Sequence, residues 1–158
     1  MQSTGNVSLM CGGYTGFTAT AKTYAAASAQ DGSALTAADG TTAVSAIDCW
    51  WLIPSPRPQW SRFLYKNPTV AGVPTPREGF TMDYDFVERS VLIFGGLDSS
   101  NQNLNDCWYI SLGPDDKVAH LESYDWKSCR PTTNATGEIA TQPPPRFGHG
   151  SAYFAGMG

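Results

Sequence analysis

The sequence predicts an all-β fold with almost no helix, and three observations carry that expectation. Short apolar runs end on paired glycines, as in Val91-Leu92-Ile93-Phe94-Gly95-Gly96. Further apolar runs open from turn-favouring residues, as in Asn105-Asp106-Cys107-Trp108-Tyr109-Ile110. Prolines gather between these runs, at Pro74-Thr75-Pro76 and Pro143-Pro144-Pro145, where a residue that cannot donate to a ladder marks a passage between sheets.

Taken in order, strands are expected near residues 8–12, 48–52, 58–64, 79–84, 90–95, 106–111, 122–127 and 148–154. Leu9-Met10-Cys11 is a short apolar run stopped by Gly12-Gly13, and Ser90 to Phe94 is a longer one stopped by Gly95-Gly96. A β-branched and aromatic run bounded by glycine reads as a buried strand. Paired glycines at its end permit positive φ and close approach of another backbone. Asp48-Cys49-Trp50-Trp51 and Asp106-Cys107-Trp108-Tyr109 each start from a residue suited to a turn.

These signals recur in a fixed order. Arg-x-Gly at Arg77 returns at Arg146, 69 residues on, and Asp-Cys-Trp at Asp48 returns at Asp106, 58 residues on. Trp60 and Trp126 follow the triplets, and His149 stands where Phe80 stands one repeat earlier. Internal repetition of this kind decides the architecture. The pattern resembles the kelch repeat, which implies blades of four-stranded antiparallel sheet in a β-propeller. The resemblance spans nearly the whole chain outside residues 14–46. Kelch repeats run to about 50 residues, so the loops here are enlarged. On this reading Trp50, Trp60, Trp108 and Trp126 are core aromatics. Arg77 and Arg146 pack between blades and bond backbone carbonyls.

Residues 1–76 then supply strands two to four of one blade, with a low-complexity insertion over 14–46. Residues 77–145 make a complete blade, and residues 146–158 begin a third. Propellers take about four to eight blades, so an incomplete propeller is expected. The remaining blades belong either to a longer chain or to neighbouring subunits, two-blade copies closing a ring together. Over residues 18–46, Thr, Ala, Ser and Gly fill 22 of 29 positions, which reads as a disordered low-complexity insertion.

The formal net charge of −4 gives no electrostatic footprint for nucleic acid. No apolar run approaches the ~20 residues of a membrane-spanning helix. Cys49 and Cys107 hold equivalent places on adjacent sheets, about 10 Å apart, beyond the ~7 Å that a disulfide bridges. The cysteines are therefore expected to be small buried hydrophobes, with reduced thiols fitting a cytoplasmic, cytoskeletal or nuclear setting. His120 and His149 do not share metal-ligand spacing, and no P-loop, G-x-S-x-G or H-E-x-x-H is present. No catalytic residue, cofactor or metal is assigned. Asp83, Asp85 and Glu88 read as a solvated turn.

In a four-stranded meander the connections between strands two and three, and between one blade and the next, emerge at the same end. The insertion after Gly13 and the segments 63–76 and 127–145 are of these kinds, so the long loops crowd one face. Such a face is often the binding face of a repeat protein, and kelch propellers are similar in recognising partners there. The candidate contact residues are Tyr14, Phe17, Arg62, Tyr65, Lys66 and Arg130, with another protein as the partner. The resemblance implies a protein–protein interaction scaffold or adaptor. Its alternatives are the propeller portion of an enzyme, either copper-oxidase-like or accessory to a separate catalytic domain, and the two-blade unit that completes a ring by oligomerisation.

Overall fold

The computed structural model describes residues 7–17, 22–24, 26–27, 34–36, 44–54, 57–66, 68–69, 72–112, 123–129 and 142–154. Twelve strands lie among them: β1 (Ser8–Cys11), β2 (Tyr14–Phe17), β3 (Lys22–Tyr24), β4 (Cys49–Ile53), β5 (Gln59–Arg62), β6 (Leu64–Tyr65), β7 (Arg77–Glu78), β8 (Thr81–Asp85), β9 (Ser90–Asp98), β10 (Asn103–Ser111), β11 (Ser123–Tyr124) and β12 (Lys127–Ser128). No helix occurs among the described residues.

Two antiparallel sheets form the body. The first is three-stranded in the order β1-β4-β5, and the second is five-stranded, with β12-β10-β9-β7 in line and β8 also paired to β9. In the second sheet Asp85 and Asp98 open the hairpin turns. The Asp85 carboxylate accepts from the Val87 and Glu88 amides, and Asp98 accepts from Ser100 and Gln102. Arg89 and Asn101 close these turns with positive φ.

The two sheets share one register. Met10 lies opposite Trp50 and Cys11 opposite Cys49, while Ile93 lies opposite Trp108 and Phe94 opposite Cys107. On the far side Trp50 faces Arg62 and Trp51 faces Ser61, while Trp108 faces Ser128 and Tyr109 faces Lys127. A single mapping, Gly12 onto Gly95 and Asp48 onto Asp106, therefore carries the first sheet onto the second, and it places Trp60 on Trp126. The backbone repeats the correspondence: Phe63 N donates to Cys49 O at 3.0 Å, and Cys129 N to Cys107 O at 2.8 Å.

Strand alternation divides each sheet into two faces. The second sheet turns Val91, Ile93, Trp108 and Ile110 inward, and these share one core with Cys49, Trp51 and Phe63 of the first unit. Trp51, Ile93 and Ile110 are fully buried, each contributing about 1.5–3 kcal/mol. The rings of Trp51, Phe63, Tyr124 and Trp126 extend this core, with Phe63 and Tyr124 stacked at 5.7 Å. β6 and β11 tie the units together by a short parallel pairing.

Four expectations are corrected. The cysteines are not free: Cys11 is bonded to Cys49 and Cys107 to Cys129. Cys49 and Cys107 are not joined to each other. Each instead bonds within its own unit, Cys49 to Cys11 on the neighbouring strand β1 and Cys107 to Cys129 just after β12, with Cα atoms 4.1 and 5.0 Å apart. Trp60 is not a core residue, being 54% exposed, and the buried tryptophan of β4 is Trp51. Residues 148–154 form no strand; His149, Ser151 and Tyr153 are held by side-chain contacts to Thr81, Asp83 and Asp85 of β8 instead of by a ladder. The 14–46 insertion is not wholly unstructured. β2 and β3 pair as a hairpin, and Ala27, Leu35, Val44 and Ala46 bury themselves with Val73 in a second core.

Candidate functional site

The junction between the units is built on glycine. At Gly12, φ is +76°, and a Cβ there would stand 2.5 Å from the Phe80 ring and 2.8 Å from Arg77 O. At Gly95, φ is +66°, and a Cβ would meet Arg146 O at 2.7 Å and the His149 ring at 3.2 Å. Only a residue without a side chain admits this approach. The neighbouring amides then bond the incoming chain, Gly13 N to Arg77 O at 3.1 Å and Gly96 N to Arg146 O at 2.9 Å. The segment starting at Arg146 thus sits on the second unit as the segment starting at Arg77 sits on the first.

Arg77 is fully buried. Its guanidinium donates to Asp106 Oδ1 at 2.5 Å and Oδ2 at 2.8 Å, and to Gly95 O and Thr75 O at 3.0 Å. Asp106 also accepts the Trp108 indole N–H at 2.6 Å. Burial pushes the Asp106 carboxyl up, but the paired guanidinium outweighs it and holds the group below the ordinary carboxylate range. The expectation that Arg77 bonds backbone carbonyls holds, with a carboxylate added.

The chain from His149 to Tyr153 crosses the outer face of the second sheet. The His149 Nε2 lies 3.2 Å from Thr81 Oγ1, Ser151 donates to Asp83, and Tyr153 donates to Asp85 at 2.7 Å. The Glu88 amide, with help from Tyr153, lowers the Asp85 carboxyl below its usual range. A cavity of about 350 Å³ lies under this segment, lined by Thr81, Asp83, Asp85, Phe94, His149 and Tyr153 among others. Among the described residues no group of three His, Cys, Asp or Glu is arranged to hold a metal ion.

The residues chosen from sequence fall in different settings. Arg62 lies on β5 with its guanidinium 4.9 Å from the centre of the Trp50 ring. Tyr65, on β6, donates its hydroxyl to Ile47 O and packs edge-on against Phe63 at 5.1 Å. Burial drives its pKa far above the ordinary tyrosine range. Lys66 is exposed, and its amide donates to Tyr124 O. Tyr14 and Phe17 lie at the two ends of β2, while Arg130 lies outside the described residues.

Sequence reading missed two surfaces. The second core joins the insertion to the 63–76 connection: Ile47 N donates to Pro74 O at 2.8 Å, and Val73 and Tyr65 pack with Ala46 and its neighbours. On the first sheet, Met10 and Trp60, 52% and 54% exposed, share a face with Trp50 and Leu52. Strand alternation around Trp50 could have found that face. No known protein family, curated protein or solved structure matches this chain.

Proposed function

We propose that this chain is a portion of a kelch-type β-propeller and acts as a protein–protein interaction scaffold or adaptor, holding a partner protein on its long-loop face. The observation that carries the reading is the second core. It packs the insertion between β1 and β4 against the connection between β5 and β7. These are the connections that a meander sends to the same end. Their packing gives that end a fixed shape beside Lys66, as a recognition surface requires. The common register of the two sheets supports the blade reading.

The test is a comparison of variants in affinity purification followed by cross-linking. Lys66→Glu combined with Val73→Asp alters the loop face, and Trp60→Ser alters the opposite flank of the first sheet. Loss of the partner with the first variant, retention with the second, and cross-links near Lys66 are expected. A partner held equally by all three proteins overturns the assignment of the face. Stoichiometric copper in the purified protein would favour the enzyme alternative instead.

A further inference from the structure

We infer that the Cys107–Cys129 disulfide is a redox latch. Its reduction by a protein dithiol frees β12 and the root of the 127–145 connection, and so disables the loop face. The release of β12 stands on the geometry of the second sheet, while its effect on the loop face rests on the function proposed above.

The two units fasten equivalent strands in different ways. In the first, β5 is held on β4 by four residue pairs, and the Phe63 that follows it is buried in the core. In the second, β12 is held on β10 by two pairs, Trp108 with Ser128 and Tyr109 with Lys127. Cys129 then stands where Phe63 stands, its amide donating to Cys107 O as that of Phe63 donates to Cys49 O. Lys127 and Ser128 are both exposed. A cavity of about 640 Å³ opens beside them, lined by Gly72, Trp108, Trp126 and Cys129 among others. A short strand with exposed side chains and a void beside it belongs to the least stable parts of a fold. Burial secures the chain as far as Trp126. Past that point the sulfur bridge to β10 takes the place of the phenylalanine anchor.

The Cys11–Cys49 bridge has no such task. Its residues lie directly opposite each other in a ladder of four pairs between β1 and β4. Just beyond them Gly12 N donates to Asp48 O at 2.8 Å, and Cys49 is buried. The ladder keeps both strands in place without the bridge. Cys107 and Cys129, by contrast, are both part-exposed, and exposed disulfides are the more readily reduced ones.

Release reaches the loop face along the chain. Upstream of β12, Tyr124 pairs with Tyr65 across β11 and β6, and its carbonyl accepts the Lys66 amide at 3.0 Å. The segment from Tyr124 to Cys129 is thus tied beside Lys66 at one end and to Cys107 at the other. In the opening step the thiolate of the reductant attacks Cys129 Sγ, past the edge strand. The S–S bond breaks, a mixed disulfide forms, and Cys107 leaves as a thiolate that takes up a proton. The second thiol of the reductant then displaces Cys129 as a thiol. Two electrons and two protons pass to this protein, and the dithiol becomes a disulfide.

Limited trypsin digestion of the full chain over a dithiothreitol titration, read by mass spectrometry, tests the latch. In the oxidised protein the Lys127–Ser128 bond should resist cleavage. After reduction it should be cut roughly tenfold faster or more, because cleavage follows the population of the locally open form. The Arg77–Glu78 bond, at a fully buried arginine, should stay intact throughout and reports that the rest is folded. Cys107→Ser with Cys129→Ser should expose Lys127 without reductant, whereas Cys11→Ser with Cys49→Ser should leave it protected until reductant is added. Protection of Lys127 that survives reduction of both bridges overturns the latch. So does cleavage at Lys127 and Arg77 in step, which makes the bridge a staple of the whole fold. In affinity purification, Cys107→Ser with Cys129→Ser should lose the partner. Release of β12 with the partner still held overturns the regulation. The loop-face reading fails separately, when Lys66→Glu with Val73→Asp also keeps the partner.

Discussion

Replacing Asp106 by alanine should separate the first unit from the second in energetic terms. The change removes the two bonds of 2.5 and 2.8 Å from the Arg77 guanidinium and leaves that cation fully buried on Gly95 O and Thr75. Stranding one partner of a buried pair costs about 3–5 kcal/mol. The Asp106 side chain is 36% exposed, so water relieves part of this penalty and about 2–4 kcal/mol is expected. At this chain length each kcal/mol moves the melting point by about 2–4 °C, giving a fall of roughly 5–15 °C. Asp48→Ala is the internal control. In the monomer it removes only the Trp50 indole bond, at about 0.5–1.5 kcal/mol. Urea unfolding followed by tryptophan fluorescence at low protein concentration measures both. A cycle with Arg77→Met should give a coupling of about 1–3 kcal/mol with Asp106. Equal effects of the two alanine variants, or additive behaviour in the cycle, would refute the reasoning.

The same pair makes stability depend on acidity. The folded Asp106 carboxyl lies below its unfolded value, so its contribution is complete above about pH 5 and is lost as pH falls through the folded value. Asp106→Asn should flatten that acid limb in a pH series of urea midpoints. Non-reducing peptide mapping should recover Cys11 with Cys49 and Cys107 with Cys129 and find no free thiol. From loops of 38 and 22 residues, losing them should cost about 4 and 3 kcal/mol respectively. Gly12→Ala should destabilise by more than 2 kcal/mol, roughly, from strain together with the clash on Phe80. Gly13→Ala has φ +93° but nothing within 4 Å, so it should cost only about 1–2 kcal/mol. Trp108→Ala should cost about 3–5 kcal/mol, whereas Trp60→Ala in the monomer should stay within about 1 kcal/mol. Near-equal losses for these two tryptophans would mean that the register is misassigned.

The body of the fold was legible because its signals repeat. Gly-Gly after an apolar run and Asp-Cys-Trp before one placed both sheets to within a few residues, and the observed register keeps Trp60 on Trp126. The disulfides were hidden by that same regularity. Cys49 and Cys107 are equivalent, yet one bonds back to the strand before it in the sheet and the other forward to the residue that follows β12. No spacing recurs to betray them. Phenylalanine fills the vacated place in each unit, Phe63 in the first and Phe94 in the second. The second core escaped notice because its members are small and scattered. Ala27, Leu35, Val44 and Ala46 show no period, and they gain burial only when Val73 arrives from another connection. Trp60 shows the limit of equivalence: register fixes which side a residue faces, but burial depends on what stands across from it.

Arg77 touches both units at once. Its carbonyl accepts from Gly13 in the first, while its guanidinium is clamped in the second by Asp106 and Gly95. One residue therefore works as a rivet through both plates, and no sliding of one sheet over the other can relax without breaking a bond at one of its ends. Shear stiffness between the units thus comes from directional bonds, those of Arg77 at one place and the β6–β11 pairing at another, rather than from the apolar contact, which resists separation far better than it resists slip.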